Sequence, residues 1–475
     1  MRNLGCLLLG MLLGASALAY DPVEEGETEA WYEDAKLGIF IHWGLYSVPG
    51  YAPVEHYPDV SRSFLEEVWE FIKNGGEVES AYAEWYLHNL KKEGGKTEHY
   101  HRAQFGQDFD YYNFAKTFNQ AVQQWQPQSW ASLFEQVGAR YVVLVSKHHD
   151  GFTLWPSQYP SANIPRENAR ASRDIVGELS EAVRNAGLHM GLYFSGGIDW
   201  SYNASYDFTP LGWHAYPEDF IHNTDNQLEE LVERYQPDIL WNDISYPEGS
   251  RVVDIIHRYR QQRPHAVINN RWRDISRAEI KPDFATPEYA TYADIQPFKW
   301  ETSRGLGYSY GYNQLDSEQT TISRKALIHF LVDVVSKNGN LLLNIGPKAD
   351  GTIPDIQLDR LKGLGEWMAV NSEAIYKTRP WIRAEGKTKE GGDVRYTATD
   401  DALYATLLSA PSAERVTLLD TPVGKIGTVS LLGFEGELDW QHQDGNITFH
   451  WPETAANAHA YVIKISRSAS FVQSR

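Results

Sequence analysis

Two acidic residues each lie at the end of a short apolar segment of the sequence. Asp243 closes the segment 239–243, and Glu288 lies near the end of the segment 283–289. Hydrolysis of a glycosidic bond needs two carboxyl groups, one to attack the anomeric carbon or activate water and one to protonate the leaving oxygen. Asp243 and Glu288 are therefore candidate catalytic residues.

Each assignment has a competitor. Alternation along a strand would place Trp241 and Asp243 on one face, which suits delivery of a carboxylate into a pocket, but Asp243 could instead cap the helix that follows. Glu301 is the rival of Glu288 for the acid role, and sequence spacing alone does not choose between them.

Adjacent histidines followed by an aspartate form a second chemical cluster, His148, His149 and Asp150. Such a set can bind a metal ion. Neighbouring side chains of a regular strand point to opposite faces, however, so both rings could reach one ion only if the strand ends there. Hydrogen bonding of the imidazoles to hydroxyl groups is the favoured interpretation.

Further polar residues fall where predicted strands end, which is the edge at which barrel enzymes place their chemistry. Arg271 could hold a catalytic carboxylate ionised or simply form an ion pair at the rim. The strand-end set is His42, His148, His149, Asp150, Tyr193, Asp243, Arg271 and Glu288.

Short β-rich segments alternate with helical periodicity, which predicts an α/β fold with a (β/α)8-like TIM barrel. Helical linkers are scarce between strands five and seven, so irregularity is expected on that side. A long insertion, residues 51–130, should shape the mouth of the barrel and contain helices at Phe64–Lys73 and Ala81–Lys92. The predicted strands are 38–43, 141–146, 189–195, 239–243, 266–270, 284–289, 305–311 and 340–345, and the main helices are 174–186, 217–235, 251–262 and 320–336.

The pattern changes near the end of the chain. Arg379-Pro380 and the glycine-rich stretch 386–392 break the helical periodicity. Short alternating segments follow at 394–397, 402–408, 414–419, 426–432, 446–450 and 460–465, and they predict an antiparallel β-sandwich. The expected division is a signal peptide at 1–19, a catalytic barrel at 20–378 and a C-terminal β-sandwich at 379–475.

Composition limits the partners. The 475 residues carry a formal net charge of −20, which argues against nucleic acid or an anionic membrane surface as partner. Aromatic residues make up 13% of the chain, which fits either a sugar-binding cleft or an aromatic-rich core.

The first residues predict export. Arg2 precedes an apolar stretch from Leu7 to Leu18, and Ala17-Leu18-Ala19 has the small-x-small form of a signal-peptidase site. The mature chain would start near Tyr20 without its single cysteine, Cys6, so it would form no disulfides. A periplasmic or secreted protein in a bacterial context is expected, with no membrane insertion after cleavage.

Several segments together resemble the α-L-fucosidases of glycoside hydrolase family 29. The resemblance runs in order through the predicted barrel, and the tail fits the family's C-terminal β-sandwich. The matching segments are Trp31-Tyr32, Lys36 to Pro49, Glu84 to Tyr86, Lys147 to Phe152, Trp241 to Asp243 and Leu341 to Pro347.

The resemblance implies roles for individual residues. It makes Asp243 the nucleophile and Glu288 the acid/base, with Glu301 still open as an alternative acid/base. Two departures from the family pattern are Leu37, where an aromatic residue is usual, and Tyr310, where the nearest members have Phe. The implied sugar-binding residues are His42, Glu84, Trp85, His148, His149, Tyr193, Trp241, Arg271 and Tyr310.

The implied activity is hydrolysis of terminal α-L-fucosyl residues with retention of configuration, without cofactor or metal. Retention requires the carboxyl groups about 5 to 5.5 Å apart, against roughly 6.5 to 9.5 Å for inversion. The implied partner is a fucosylated oligosaccharide or glycoconjugate, and a homo-oligomer is compatible with the sequence. The alternatives are a related glycosidase for a fucose-like sugar such as galactose, a fucose-binding protein that has lost catalysis, and, more remotely, a metal-dependent hydrolase.

Overall fold

The computed structural model describes residues 28–54, 79–202, 217–272, 280–452 and 459–467. The predicted signal peptide at 1–19 and the predicted helix Phe64–Lys73 lie outside these residues.

A curved, fully parallel sheet forms the centre of the larger unit. Its strand order is β5-β4-β3-β2-β1-β7-β6, as expected for successive βα units wound in one direction. Apolar side chains such as Ile39, Leu144 and Leu343 pack outward from the strands against the helices. The strands are β1 (Leu37–Ile41), β2 (Tyr141–Lys147), β3 (His189–Ser195), β4 (Ile239–Asp243), β5 (Val267–Ile268), β6 (Trp300–Gly305) and β7 (Gly339–Ile345).

The gap between β5 and β6 is closed by isolated bridges. Asn269 pairs with Phe284, and Ala285 pairs with Trp300, both in the parallel sense. The predicted strand 284–289 is therefore wrong as a regular strand, because Pro287 has no N–H to donate and Tyr289 adopts a positive φ of 50°. The barrel-like fold is confirmed, with its irregularity on the predicted side.

The predicted strand 305–311 is also displaced. The strand is β6, which starts at Trp300 and ends at Gly305, and residues 306–311 form the loop that follows it. Polar residues such as Thr302 and Ser303 obscure the strand pattern in the sequence, although every residue of β6 is buried. The tyrosine-rich loop 306–311 therefore lies at the carboxyl edge of the sheet.

Helices surround the sheet, and the four main helix predictions are confirmed with small shifts at their ends. Asp174 accepts a hydrogen bond from the backbone N–H of Gly177 and so caps one of them. Part of the segment 81–92 is a 3₁₀ turn rather than an α-helix. The helices are α1 (Ala30–Ala35), α2 (Tyr86–Leu90), α3 (Lys96–Phe105), α4 (Phe114–Ala121), α5 (Pro127–Val137), α6 (Ile175–Asn185), α7 (Glu218–Tyr235), α8 (Val252–Gln262), α9 (Arg324–Ser336) and α10 (Asp355–Asn371).

Two antiparallel sheets follow the barrel and enclose a separate apolar core that includes Tyr396, Phe449 and Ile463. One sheet has the order β12-β15-β10-β9-β8, and the other has the order β11-β14-β13. The strands are β8 (Arg379–Lys387), β9 (Asp393–Ala398), β10 (Ala402–Leu407), β11 (Arg415–Leu418), β12 (Ile426–Leu431), β13 (Trp440–Gln443), β14 (Asn446–His450) and β15 (Tyr461–Arg467).

Two strands at sheet edges, β8 and β13, were not predicted from the sequence. The segment at Arg379-Pro380 was expected to break the pattern, yet it begins β8, where an edge position tolerates proline and the pairing shifts register after Pro380. The polar residues of β13 are mostly exposed, so they give no alternating signal.

The sandwich packs against its own barrel through α9 and α10. Arg395 of β9 donates to Asp333 of α9 at 2.6 Å, and the indole N–H of Trp367 in α10 donates to the carbonyl of Ala460 at 3.0 Å. Among the residues that the structure describes, no helix combines the length and apolar character needed to cross a membrane.

Candidate active site

The carboxyl ends of the strands bring the predicted residues together. His42 follows β1, His148 and His149 follow β2, and Asp243 is the last residue of β4. Arg271 lies beyond β5 in the sequence. Parallel strands end at one edge of the sheet, so these side chains meet in a single pocket at the barrel mouth.

Asp243 is buried and fully engaged. Its Oδ2 accepts a hydrogen bond from the hydroxyl of Tyr193 at 2.8 Å, and its Oδ1 accepts one from Nη1 of Arg271 at 2.8 Å. Burial alone would raise the pKa of Asp243, but the charge and hydrogen bond of Arg271, with help from His149 and Tyr193, lower it below its ordinary value. The carboxylate form is therefore favoured.

The backbone that follows Asp243 is strained. Ile244 and Ser245 have φ values of 53° and 70°, a region that β-branched residues rarely occupy. In this conformation the N–H of Ile244 donates to Asp243 Oδ1 at 2.9 Å. A Cβ at Gly197 would overlap with the carbonyl oxygen of Ile244, so only glycine fits beside this turn. Such strain persists where surrounding contacts fix a functional geometry.

Glu288 and Asp243 share a single guanidinium nitrogen. Nη1 of Arg271 lies 2.7 Å from Glu288 Oε1 and 2.8 Å from Asp243 Oδ1. Glu288 Oε1 and Asp243 Oδ1 can therefore be at most about 5.5 Å apart, the sum of their distances to this nitrogen. The side chain of Glu288 is 28% exposed, so it faces the open side of the pocket.

Arg271 is itself held in place. Its Nε and Nη2 donate to the hydroxyl and carbonyl oxygens of Thr286, both at 2.9 Å, and its guanidinium lies 4.5 Å above the ring of Trp241. Trp241 stacks on Tyr193 with ring centroids 5.5 Å apart. The indole is 1% exposed, so it supports the pocket from below.

Strand β2 ends at Lys147, which frees the next two residues from alternation. The rings of His148 and His149 consequently lie side by side, with centroids 4.1 Å apart. Asp150 turns away and accepts hydrogen bonds from the hydroxyl of Tyr111 and the N–H of Phe152. Within the described ranges, no three histidine, cysteine or acidic side chains are grouped so as to hold a metal ion.

His42 lies next to His148, with ring centroids 5.7 Å apart, and beside the ring of Tyr310 at 4.9 Å. Its Nδ1 is 2.7 Å from the side-chain oxygen of Asn344, which comes from the end of β7. The hydroxyl of Tyr310 contacts Ser303 at 3.0 Å, which directs it away from His42. This places a ring face and an imidazole next to each other.

Glu84 enters the site from the insertion after β1, on the 3₁₀ turn Ala83–Trp85. Its carboxylate accepts from the N–H of Gly311 at 2.7 Å and from the hydroxyl of Ser309 at 3.3 Å. Burial raises the pKa of Glu84 to about 7, although these hydrogen bonds oppose the shift. The neighbouring ring of Trp85 is partly exposed and stands perpendicular to the ring of His149.

Glu301 lies elsewhere. It is the second residue of β6, it has no exposed surface, and its carboxylate accepts from the hydroxyls of Tyr32 and Tyr141 and from the indole N–H of Trp241. Tyr141 begins β2, so Glu301 faces the amino end of the barrel. This carboxyl group cannot reach a substrate bound at the mouth.

Four residues that were not predicted from the sequence orient predicted residues of the site. Ser195 contacts His149, Asn344 contacts His42, Ser309 contacts Glu84, and Thr286 holds Arg271. Ser195 and Asn344 stand at or next to the carboxyl ends of β3 and β7, so the rule that found the histidines also applies to them. Ser309 and Thr286 lie in irregular segments that give no such signal.

The pocket thus holds an ionised, buried carboxylate and a more exposed carboxyl group on either side of one cation. Imidazoles, a tyrosine hydroxyl and Glu84 supply further polar contacts, and aromatic rings line the walls. A neutral, hydroxyl-rich ring with an apolar face would match this lining. The pair of carboxyl groups can act as nucleophile and proton donor on such a ring.

Comparison with known proteins agrees with a sugar-hydrolysing pocket. The family model described as "Alpha-L-fucosidase" matches residues 17–373, and the model of the "Alpha-L-fucosidase C-terminal domain" matches residues 388–466. The α-L-fucosidase of Dictyostelium discoideum is 33% identical over 441 residues, which cover 88% of this chain and 86% of that protein.

Solved structures are similar as well. The crystal structure of the Thermotoga maritima α-fucosidase is 36% identical, with a TM-score of 0.79, and the match covers 92% of this chain and 97% of that one. A second structure of that enzyme, in complex with fucose, also has a TM-score of 0.79 and covers 94% of this chain and 99% of that one. With the matched barrel, the matched C-terminal unit and the two carboxyl groups in one pocket, this chain belongs to the α-L-fucosidase family, glycoside hydrolase family 29.

Proposed function

We propose that this protein is a retaining α-L-fucosidase that releases terminal α-L-fucosyl residues from glycans by double displacement. Asp243 is the nucleophile and Glu288 is the acid/base. The observation that carries the proposal is the shared nitrogen of Arg271, which holds the two carboxyl oxygens within about 5.5 Å. This upper limit favours the retaining class, whose carboxyl groups lie about 5 to 5.5 Å apart, over the inverting class at roughly 6.5 to 9.5 Å.

In the first step, Asp243 attacks the anomeric carbon while Glu288 gives its proton to the glycosidic oxygen. The bond between that carbon and oxygen breaks, the aglycone leaves as an alcohol, and the sugar is bound to Asp243 as an ester. The lowered pKa of Asp243 keeps it ionised for this attack.

In the second step, Glu288 accepts a proton from water, and the water oxygen displaces Asp243 from the anomeric carbon. Esterification has removed the charge of Asp243, so Arg271 now stabilises the carboxylate of Glu288 alone. This favours the base that the second step needs. Two inversions at one carbon give net retention.

Sugar recognition is assigned to the remaining residues of the pocket. His42, Glu84, His148 and His149 bind ring hydroxyls, and Trp85 and Tyr310 supply aromatic surface. Trp241 is 1% exposed and acts through Arg271 and Tyr193, which it packs against. Burying polar groups that pair with hydroxyls discriminates strongly, because a sugar that lacks the hydroxyl leaves them unpaired. Proteins named α-L-fucosidases among the relatives support fucose over galactose.

The proposal is tested by nitrophenol release from 4-nitrophenyl α-L-fucoside. Wild-type protein should be active, and Asp243→Gly and Glu288→Ala should each lose about 10³-fold or more in kcat. Added azide should restore turnover, with β-fucosyl azide formed in Asp243→Gly, where azide replaces the nucleophile, and α-fucosyl azide formed in Glu288→Ala, where azide attacks the fucosyl ester.

The stereochemistry provides a separate check. Proton NMR of the first product from wild-type enzyme should show the α-anomer of L-fucose before mutarotation. The β-anomer as first product would overturn the double displacement. A wild-type protein that cleaves another glycoside but no fucoside would overturn the substrate.

We also propose that the protein is exported after cleavage near Tyr20. Expression of the full chain in a bacterium and N-terminal sequencing of the protein from the periplasm and medium tests this. A first residue near Tyr20 supports export, and recovery of the uncleaved chain in the cytoplasm alone overturns it.

A further inference from the structure

Two histidines of the pocket each begin a short hydrogen-bond chain that ends on a backbone carbonyl. In one chain, Nδ1 of His149 lies 2.6 Å from the hydroxyl oxygen of Ser195, which lies 2.6 Å from the carbonyl oxygen of Ile198. A carbonyl oxygen can only accept, and a serine hydroxyl has one proton. Ser195 therefore donates to Ile198 and must accept from an N–H at Nδ1 of His149.

The second chain has the same logic. The side-chain amide of Asn344 lies 2.6 Å from the carbonyl oxygen of Tyr310, so the group facing Tyr310 must be the NH2 group. The amide oxygen consequently faces His42 Nδ1 at 2.7 Å. That oxygen can only accept, and His42 must therefore carry its proton on Nδ1.

Both rings are neutral near neutral pH. Burial lowers the pKa of His42 to about 3 and that of His149 to about 4, against the opposing effects of Asn344 and Asp243. A neutral imidazole with its proton on Nδ1 has a lone pair on Nε2. Nε2 of His149 lies 3.8 Å from Asp243 Oδ2, too far for a hydrogen bond, so it is directed into the catalytic pocket.

We propose that Ser195 and Asn344 are positioning residues that fix the tautomers of His149 and His42, so that each Nε2 accepts a hydrogen bond from a sugar hydroxyl. This inference rests on the proposed function and adds two residues to it. Asp243 is also a hydrogen-bond acceptor at neutral pH. The pocket therefore recognises a sugar hydroxyl as a hydrogen-bond donor.

The tautomers can be measured without substrate. In ¹⁵N NMR of full-length protein labelled with ¹⁵N-histidine, His149 and His42 should each show an unprotonated Nε2 and a protonated Nδ1. Each pair of signals is assigned by its loss in His149→Asn or His42→Asn. In Ser195→Ala, Nδ1 loses its acceptor, and the proton of His149 should shift towards Nε2, the nitrogen nearer the negative charge of Asp243.

Matched variants separate this role from a structural one. Ser195→Thr retains the hydroxyl and should restore the wild-type spectrum. Ser146→Ala removes an equivalent buried bond, from the Ser146 hydroxyl to the carbonyl of Tyr193 at 2.6 Å, without touching a histidine, and should leave the histidine signals unchanged. A wild-type His149 protonated on Nε2, or an unchanged spectrum in Ser195→Ala, would overturn the assignment.

Asn344 is tested in the same way. Asn344→Ala should shift the His42 signals. Asn340→Ala, at the other end of the same strand, removes a buried amide bond to the carbonyl of Tyr32 at 2.9 Å and should not shift them. Equal shifts in both variants would indicate a general disturbance of β7 and contradict the proposal.

Competitive inhibition by L-fucose analogues tests the consequence. Fluorine cannot donate a hydrogen bond. At a position where removal of the hydroxyl weakens binding about 10-fold relative to L-fucose, replacement of the hydroxyl by fluorine should weaken binding by the same factor. The C3 and C4 positions are suitable, because they leave the reacting carbon unaltered. Binding restored by fluorine would overturn the acceptor assignment. Absence of any fucoside cleavage or fucose inhibition would instead refute the proposed function and leave the tautomer result standing.

Discussion

Asp243 and Glu288 are bound to the same nitrogen of Arg271, at 2.8 and 2.7 Å. The guanidinium therefore limits the separation of the two carboxyl groups and stabilises the ionised form of Asp243. Burial by itself would lower the pKa of Arg271, but the charges and hydrogen bonds of the two carboxylates more than offset this desolvation and raise it above its ordinary value. The separation of the two carboxyl groups and the ionisation of Asp243 consequently both depend on Arg271.

The first prediction concerns Arg271→Gln. Burial raises the pKa of Asp243 and the charge and hydrogen bond of Arg271 lower it, so removal of the cation should raise that pKa. Since Asp243 must be ionised, activity is lost as pH falls through this pKa, and the acid limb of the kcat/KM profile should move to higher pH. At neutral pH, kcat should fall about 100-fold.

The matched control is Arg234→Gln, which breaks an arginine–aspartate pair with Asp174 at 2.8 Å on the protein surface. Its pH profile should coincide with that of the wild-type enzyme. An acid limb that stays in place in Arg271→Gln would show that Asp243 does not set it.

The second prediction separates the two glutamates. Glu301 accepts three buried hydrogen bonds, so Glu301→Gln, which places an NH2 group against these donors, should lower the free energy of unfolding by about 1–3 kcal/mol. Its kcat should change less than about 10-fold. Glu288→Gln should show the reverse pattern, with activity lost and stability retained. Urea unfolding and nitrophenol release on both variants would check this, and loss of activity from Glu301→Gln alone would transfer the acid/base role.

Much of the site was predictable because parallel strands end at one edge of a sheet. A residue at the end of one strand, such as Asp243 of β4, must lie near the end of the neighbouring strand β3, where Ser195 pairs with Asp243. The apolar segments that mark β1 to β4 and β7 are clear in the sequence. Periodicity therefore predicted most of the barrel and the central part of its pocket.

The remaining predictions were wrong where the local residue pattern does not reflect the tertiary structure. β6 carries Glu301 towards the barrel interior and Arg304 on the opposite face, against the ring of Phe330 in α9. Such buried polar residues conceal a strand until their partners on other elements are known. The segment ending at Glu288 contains Pro287 and pairs only through single bridges, so its extended form depends on both neighbours. Sequence spacing could not rank Glu288 above Glu301, because that choice depends on which end of the barrel each side chain faces.

The third prediction concerns the hydroxyl of Tyr310. This hydroxyl is engaged by Ser303 at 3.0 Å, so only the ring faces His42. Tyr310→Phe should leave kcat/KM for the fucoside within about 2-fold and cost about 0.5–1.5 kcal/mol in unfolding free energy. Ser303→Ala should cost a similar amount, and the two changes should not add. A large rise in KM for Tyr310→Phe would instead assign its hydroxyl to substrate binding.

The fourth prediction concerns Lys36, a fully buried lysine whose Nζ has no hydrogen-bond partner among the described residues. Burial, with the nearby Arg379, lowers its pKa from 10.5 to about 7, so between these values the unfolded chain binds more protons than the folded one. Stability should therefore rise with pH across this window, by up to about 1.4 kcal/mol per pH unit from this group.

Lys36→Met removes the buried amine and keeps most of its volume. The variant should be more stable than wild type by about 1–4 kcal/mol near pH 7, and the difference should shrink as pH rises toward 10. Lys337→Met is the matched control, because Lys337 is nearly as buried but pairs with Asp333 and Glu385, both at 2.9 Å, so its loss should destabilise the protein. Urea unfolding of the three proteins at pH 7 and 9 measures these differences. A destabilised Lys36→Met at both pH values would mean that the ammonium has a stabilising partner in the folded chain.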